Sequence, residues 1–132
     1  MLHSDGTPLK NFEVAALYQT SSFYGATGQK TDAQVVSVAL ATYVTSTKLA
    51  GGNMAAANGF NTSSAGDGNK TYNVGSNGAA FGVANNTTLS LWQILYYVNK
   101  QSNNGLLYNG NSTLINLANT TLSGINTTGA VV

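Results

Sequence analysis

Between Thr31 and Lys48 the apolar residues Val35, Val36, Ala39, Leu40, Tyr43 and Val44 recur at the spacing of one helical face. The preceding Thr31-Asp32-Ala33-Gln34 has the pattern of a capping box. Thr31 would accept from the backbone three residues on, and Gln34 would reach back. Gly51-Gly52 supplies the stop. The pattern predicts a helix over about residues 32–48. No other stretch of the chain constrains the fold as strongly.

The same period returns three more times. Phe12, Ala15, Ala16 and Phe23, with Leu17 and Tyr18 alongside, predict a helix within Leu9–Phe23, ending before a turn at Gly25–Gly28. Leu91, Trp92, Leu95 and Val98, with Ile94 beside them, predict a wide buried face on a helix that begins near Thr88 and ends at Asn103-Asn104-Gly105. Leu114, Leu117, Ala118, Leu122 and Ile125 predict a last helix from about Asn111. Asn86-Thr87-Thr88-Leu89 and Asn111-Ser112-Thr113-Leu114 look like N-caps. A third echo, Asn119-Thr120-Thr121-Leu122, falls inside the last helix, where Asn and Thr are poor helix formers.

The stretch from Gly51 to Gly78 follows another rule. Glycines punctuate it, alanines at 55–57 predict a short helix over Met54–Asn58, and Lys70-Thr71-Tyr72-Asn73-Val74 alternates like a strand. One hairpin fits here, with Phe60 and Phe81 pinning the loop to the core. The expected fold is mainly α: a compact bundle of about four helices with a Gly/Asn-rich insertion that holds a short β-hairpin. It forms one domain over residues 9–128, with tails at 1–8 and 129–132.

Charge is scarce. Nine of 132 residues are Asp, Glu or Lys, there is no arginine or cysteine, and His3 is the one histidine. Asn, Thr, Ser and Gly together fill 60 positions. Net charge +1 leaves no basic footprint for nucleic acid or anionic lipid. No apolar run approaches the roughly 20 residues of a membrane span. The 42% of hydrophobic residues suffices for a core, so the chain is not a disordered tail. Met1–Gly6 lacks the basic start and apolar segment of a signal peptide and reads as a trimmed end.

Most familiar chemistries lose their reagents. A serine nucleophile needs an adjacent base, and His3 lies at the extreme start of the chain. A glycosidase carboxylate pair would have to come from Asp5, Glu13, Asp32 and Asp67. Asp32 already suits a helix start and Asp67 a Gly-Asp-Gly turn. Asp67-Gly-Asn69-Lys-Thr71 begins like a calcium loop, but the sixth and twelfth places hold Tyr72 and Gly78. An irregular metal site on Asp67, Asn69 and backbone carbonyls is the remainder of that idea. Gly75-Ser-Asn-Gly78 lacks the Lys-Ser/Thr of a phosphate loop. No cofactor is expected.

Aromatic residues are the positive chemistry. Tyr96, Tyr97, Tyr108 and Tyr72, among many asparagines, offer faces for sugar stacking, and Tyr96 and Tyr97 must point to different sides of their helix. Seven Asn-x-Ser/Thr sequons occur, where chance pairing gives about 3 or 4. Turn and cap service explains such pairs without glycosylation. A neutral, Asn/Thr-rich surface without cysteine fits an extracellular bacterial protein.

The run Tyr72-Asn-Val-Gly-Ser-Asn-Gly-Ala-Ala-Phe-Gly-Val-Ala-Asn-Asn-Thr-Thr-Leu-Ser-Leu-Trp-Gln-Ile-Leu resembles a segment of large uncharacterised surface or secreted multidomain proteins of planctomycetes and related bacteria. Gln34–Gly51 and Leu107-Tyr-Asn-Gly-Asn111 look like the same module, so the resemblance covers most of the chain from about residue 9. A Trp/His-containing segment that precedes this part in the family is missing here. The resemblance implies a location, an extracellular module at its C-terminal part, and no catalytic residue. The expectation is a non-enzymatic attachment or assembly module that binds a polysaccharide or surface-protein partner. A small secreted hydrolase of unfamiliar active site, acting on polysaccharide or polyester, and a self-associating subunit are the alternatives.

Overall fold

A computed structural model of the protein describes Thr7 and residues 31–128. The helix predicted within Leu9–Phe23 and the C-terminal tail lie outside the described residues. In chain order the elements are α1 (Thr31–Thr45), α2 (Thr47–Ala50), α3 (Met54–Ala57), β1 (Thr71–Asn73), β2 (Thr88–Ser90), α4 (Leu91–Lys100) and α5 (Ser112–Thr128). Single 3₁₀ segments occupy Gly66–Asn69, Gly75–Phe81 and Leu107–Gly110. The fold is mainly α with a two-stranded antiparallel pair in the Gly/Asn-rich region, as the sequence predicts. No helix among the described residues is long and apolar enough to cross a membrane.

The long helix is where periodicity predicts it, but it buries another face. Thr31, Ala33, Val38, Thr42 and Thr45 are buried, while Leu40 and Tyr43 of the predicted stripe are exposed. Thr42 and Thr45 donate their hydroxyls to Val38 O at 2.8 Å and Ala41 O at 2.7 Å. Thr42, satisfied by its own helix, brings only a methyl group to the interface, so it packs where a polar residue would not. The capping box at the start does not form. Thr31 is already helical, and its buried hydroxyl has no partner. Gln34 instead faces α5, where Asn126 Nδ2 donates to its Oε1 at 2.6 Å and to its carbonyl at 3.1 Å.

A genuine capping box opens α4, which begins three residues later than predicted. Gln93 N–H donates to Ser90 Oγ at 3.2 Å, and Ser90 N–H donates to Gln93 Oε1 at 2.8 Å. Thr88–Ser90 is strand because it pairs with β1 in the register Thr71↔Ser90, Tyr72↔Leu89, Asn73↔Thr88. Backbone pairing thus outcompetes the cap signal read at Asn86–Leu89. The strands are joined not by a tight turn but by the Gly75–Phe81 segment and the loop after it. The start of α5 is as predicted, with Leu114 N–H donating to Asn111 Oδ1 at 3.1 Å. The helix runs through the third echo, where Thr120 and Thr121 donate to the carbonyls of Asn116 and Leu117.

The core lies between α1, α4, α5 and the Gly75–Phe81 segment, with Phe81, Ile94 and Leu122 fully buried. Asn77 Nδ2 donates to Thr121 Oγ1 at 3.1 Å and fastens that segment to α5. Phe60 does not pin the loop. It is 52% exposed, and Phe81 alone of the pair enters the core.

Candidate functional site

The site begins with a latch at the end of α1. Ser63 N–H donates to Thr45 O at 3.0 Å and Thr47 N–H to Ser63 O at 2.9 Å, a parallel bridge between distant segments. Thr45 Oγ1 accepts from Asp67 N–H at 2.8 Å, and Ser63 Oγ from Gly66 N–H at 2.9 Å. These bonds hold the Gly66–Asn69 turn against the helix end. Gly68 in that turn is buried beneath the Trp92 indole, and a Cβ there would overlap the ring at Nε1 and Cε2.

Trp92 is therefore seated on a backbone platform, and it points outward. The sequence stripe placed it in the core; the structure leaves it 39% exposed and gives the inward positions to Leu91, Ile94 and Val98. Tyr96, one turn on, is 58% exposed. Lys100 Nζ lies 6.0 Å from the Tyr96 ring centroid, at the outer limit for a cation–π contact. Residues four apart stack along one helical face, so Trp92, Tyr96 and Lys100 form a ridge. Tyr97 flanks it edge-on, its ring centroid 5.5 Å from that of Tyr96 at 64°.

The four tyrosines proposed from sequence thus separate. Tyr96 presents an open ring, and Tyr97 is half-buried beside it against the core. Tyr72 is half-buried, its hydroxyl lying against the α5 backbone at Gly124. Tyr108 is 2% exposed and belongs to the core, which corrects its reading as a stacking surface. Burial pushes its phenol above the usual tyrosine range. Trp92 is the site residue that periodicity missed. Its signal was the four-residue spacing to Tyr96 and Lys100, together with a Gly-Asp-Gly turn able to sit under an indole.

The Asp67 carboxylate is held by Lys70 Nζ at 2.9 Å, which places an ammonium where a cation would have to bind. Among the described residues no group of three or more His, Cys, Asp or Glu is arranged to hold a metal. Asp32 stands in the first turn of α1, and desolvation raises its carboxyl above the ordinary value.

No family model, no curated protein and no solved structure matches the chain. The functional reading therefore rests on the residues themselves.

Gly68→Ala tests the platform. Trp92 is the single tryptophan, so its emission reports this contact alone. The substitution is expected to shift the emission of the folded protein and to lower stability by about 1–3 kcal/mol, the usual range for overpacking. Unchanged emission and stability would show that the indole does not need the glycine.

Proposed function

We propose that this chain is a non-enzymatic extracellular module for attachment or assembly, and that the α4 ridge binds a carbohydrate or a related surface polymer. The observation that carries this reading is the pair of exposed aromatic faces, Trp92 and Tyr96, set one turn apart on a capped helix with the indole seated on Gly68. Aromatic bodies supply apolar contact area while their N–H and O–H groups keep a polar partner. A rigid support lowers the ordering cost of binding. Among the described residues of the ridge Lys100 alone is charged, which suits a ligand without strong charge of its own.

Binding to insoluble neutral polysaccharides, measured by depletion from solution, tests the proposal. Tyr96→Ala is expected to weaken binding by at least about tenfold, equivalent to ~1.4 kcal/mol. Added salt should change it little, because charge screening does not touch stacking. Equal binding by wild type and a folded Trp92→Ala/Tyr96→Ala double variant would remove the ridge from the function.

A further inference from the structure

We propose that the cleft between the end of α4 and the Leu107–Gly110 turn is a second binding site, one that takes a neutral, hydroxyl-rich group such as a single sugar unit. The cleft has a volume of about 590 Å³ and is lined by Gln101, Tyr108, Asn109, Gly110, Asn111 and Leu114. That volume falls within the range of small-molecule sites, roughly 300–1,000 Å³. Among the described residues its walls carry no carboxylate and no ammonium, and burial raises the Tyr108 phenol above the usual tyrosine range. A charged ligand would find no counter-charge there. Carboxamides, which both donate and accept, match the hydroxyl groups of a sugar.

The amides divide their work. Gln101 Nε2 donates to Ala80 O at 2.5 Å, and Asn111 Oδ1 caps α5. Among the described residues nothing engages the Asn109 side chain or the Asn111 amide nitrogen, so both are open to a ligand.

The wall that presents Asn109 is kept at a cost to the fold. Tyr108 (φ 50°, ψ 28°) and Asn109 (φ 51°, ψ 31°) are consecutive left-handed residues, a conformation that a bulky side chain such as tyrosine rarely adopts. The Tyr108 hydroxyl is also buried without a hydrogen-bond partner. Two separate destabilising features at one cavity wall are the pattern of a site shaped for binding more than for stability. The cleft also adjoins the ridge in the chain. Gln101 lies one helical turn after Tyr97, whose ring meets that of Tyr96. This inference rests on the carbohydrate reading for its ligand class, but it does not require the ridge to bind.

The test is an NMR titration of the whole chain with soluble neutral oligomers of β-1,4-linked glucose, α-1,4-linked glucose and β-1,4-linked N-acetylglucosamine. Resonances of Asn109, Asn111 and Leu114 are expected to shift in wild type and still to shift in Tyr96→Ala. Asn109→Gly keeps the left-handed backbone and removes the amide. It is expected to weaken binding at the cleft by at least about tenfold while leaving the melting temperature equal or higher. Shifts confined to Trp92 and Tyr96 would overturn the cleft and leave the ridge standing. Cleft shifts that persist undiminished in Asn109→Gly would overturn it as well. No shift at either place would remove both sites.

Discussion

Phe81→Ala is expected to cost the domain about 3–5 kcal/mol, the range for truncating a fully buried phenylalanine. Phe81 closes the Gly75–Phe81 segment and is fully buried where that segment meets α4 and α5. The segment is held by that ring, by the buried Ala80, and by the side-chain bonds Asn77 Nδ2 to Thr121 Oγ1 and Gln101 Nε2 to Ala80 O. A small domain has a total stability of about 5–15 kcal/mol, so the loss is a large share of it and the variant should unfold at markedly lower urea. Urea denaturation followed by circular dichroism checks this. A loss below about 1 kcal/mol would mean that the cavity collapses freely and that the ring is not the anchor.

Gly66→Ala is expected to be nearly as damaging, for a reason with no hydrophobic component. Gly66 has φ +62°, and a Cβ there would stand 2.6 Å from Ser46 N and 2.7 Å from Thr45 C, both backbone atoms. Left-handed strain contributes about 1–2 kcal/mol, and the overlap adds roughly 1–3 kcal/mol because backbone cannot rotate away as a side chain can. The turn should detach from the end of α1, carrying Asp67 N–H away from Thr45 Oγ1 and loosening the seat of Trp92. Thermal melts and Trp92 emission should therefore change together. A stable variant with native emission would show that the latch tolerates displacement.

Among the described residues periodicity located the long helices well and their buried faces less well. The α5 pattern held because Ala118, Leu122 and Ile125 are apolar and buried, the simple case. In α1 the same method chose the wrong side, since a hydrophobic count scores threonine as polar. Thr42 is buried with its hydroxyl satisfied by a helical carbonyl, and Thr45 with its hydroxyl shared between a helical carbonyl and Asp67 N–H. Leu40 and Tyr43 are left outside. In α4 the error took another form. Trp92 and Leu91 are neighbours in sequence, and only the packing of Leu91, Ile94 and Val98 decides which of the two turns inward.

Asparagine shows how local and long-range roles share one residue type. Asn111 caps α5, a role legible from its place before the apolar run. Asn85 Oδ1 accepts from Gly78 N–H at 3.2 Å inside a loop, and Asn126 reaches Gln34 across the fold. All three lie in sequons, so the excess of that tripeptide owes part of its origin to folding.

The sequence by itself determined that this is a helical domain with a small β element and little charge, because helical period, cap residues and side-chain inventory are local or additive properties. Only the tertiary structure decided which faces are buried and which aromatic residues are left exposed. Trp92 and Tyr96 became a ridge because the Gly66–Asn69 turn, distant in sequence, packs beneath the indole. The cleft exists because the chain takes two left-handed residues at Tyr108 and Asn109 to return to α5. Such close approaches depend on which backbone meets which side chain, and no pattern along one strand of sequence encodes that meeting.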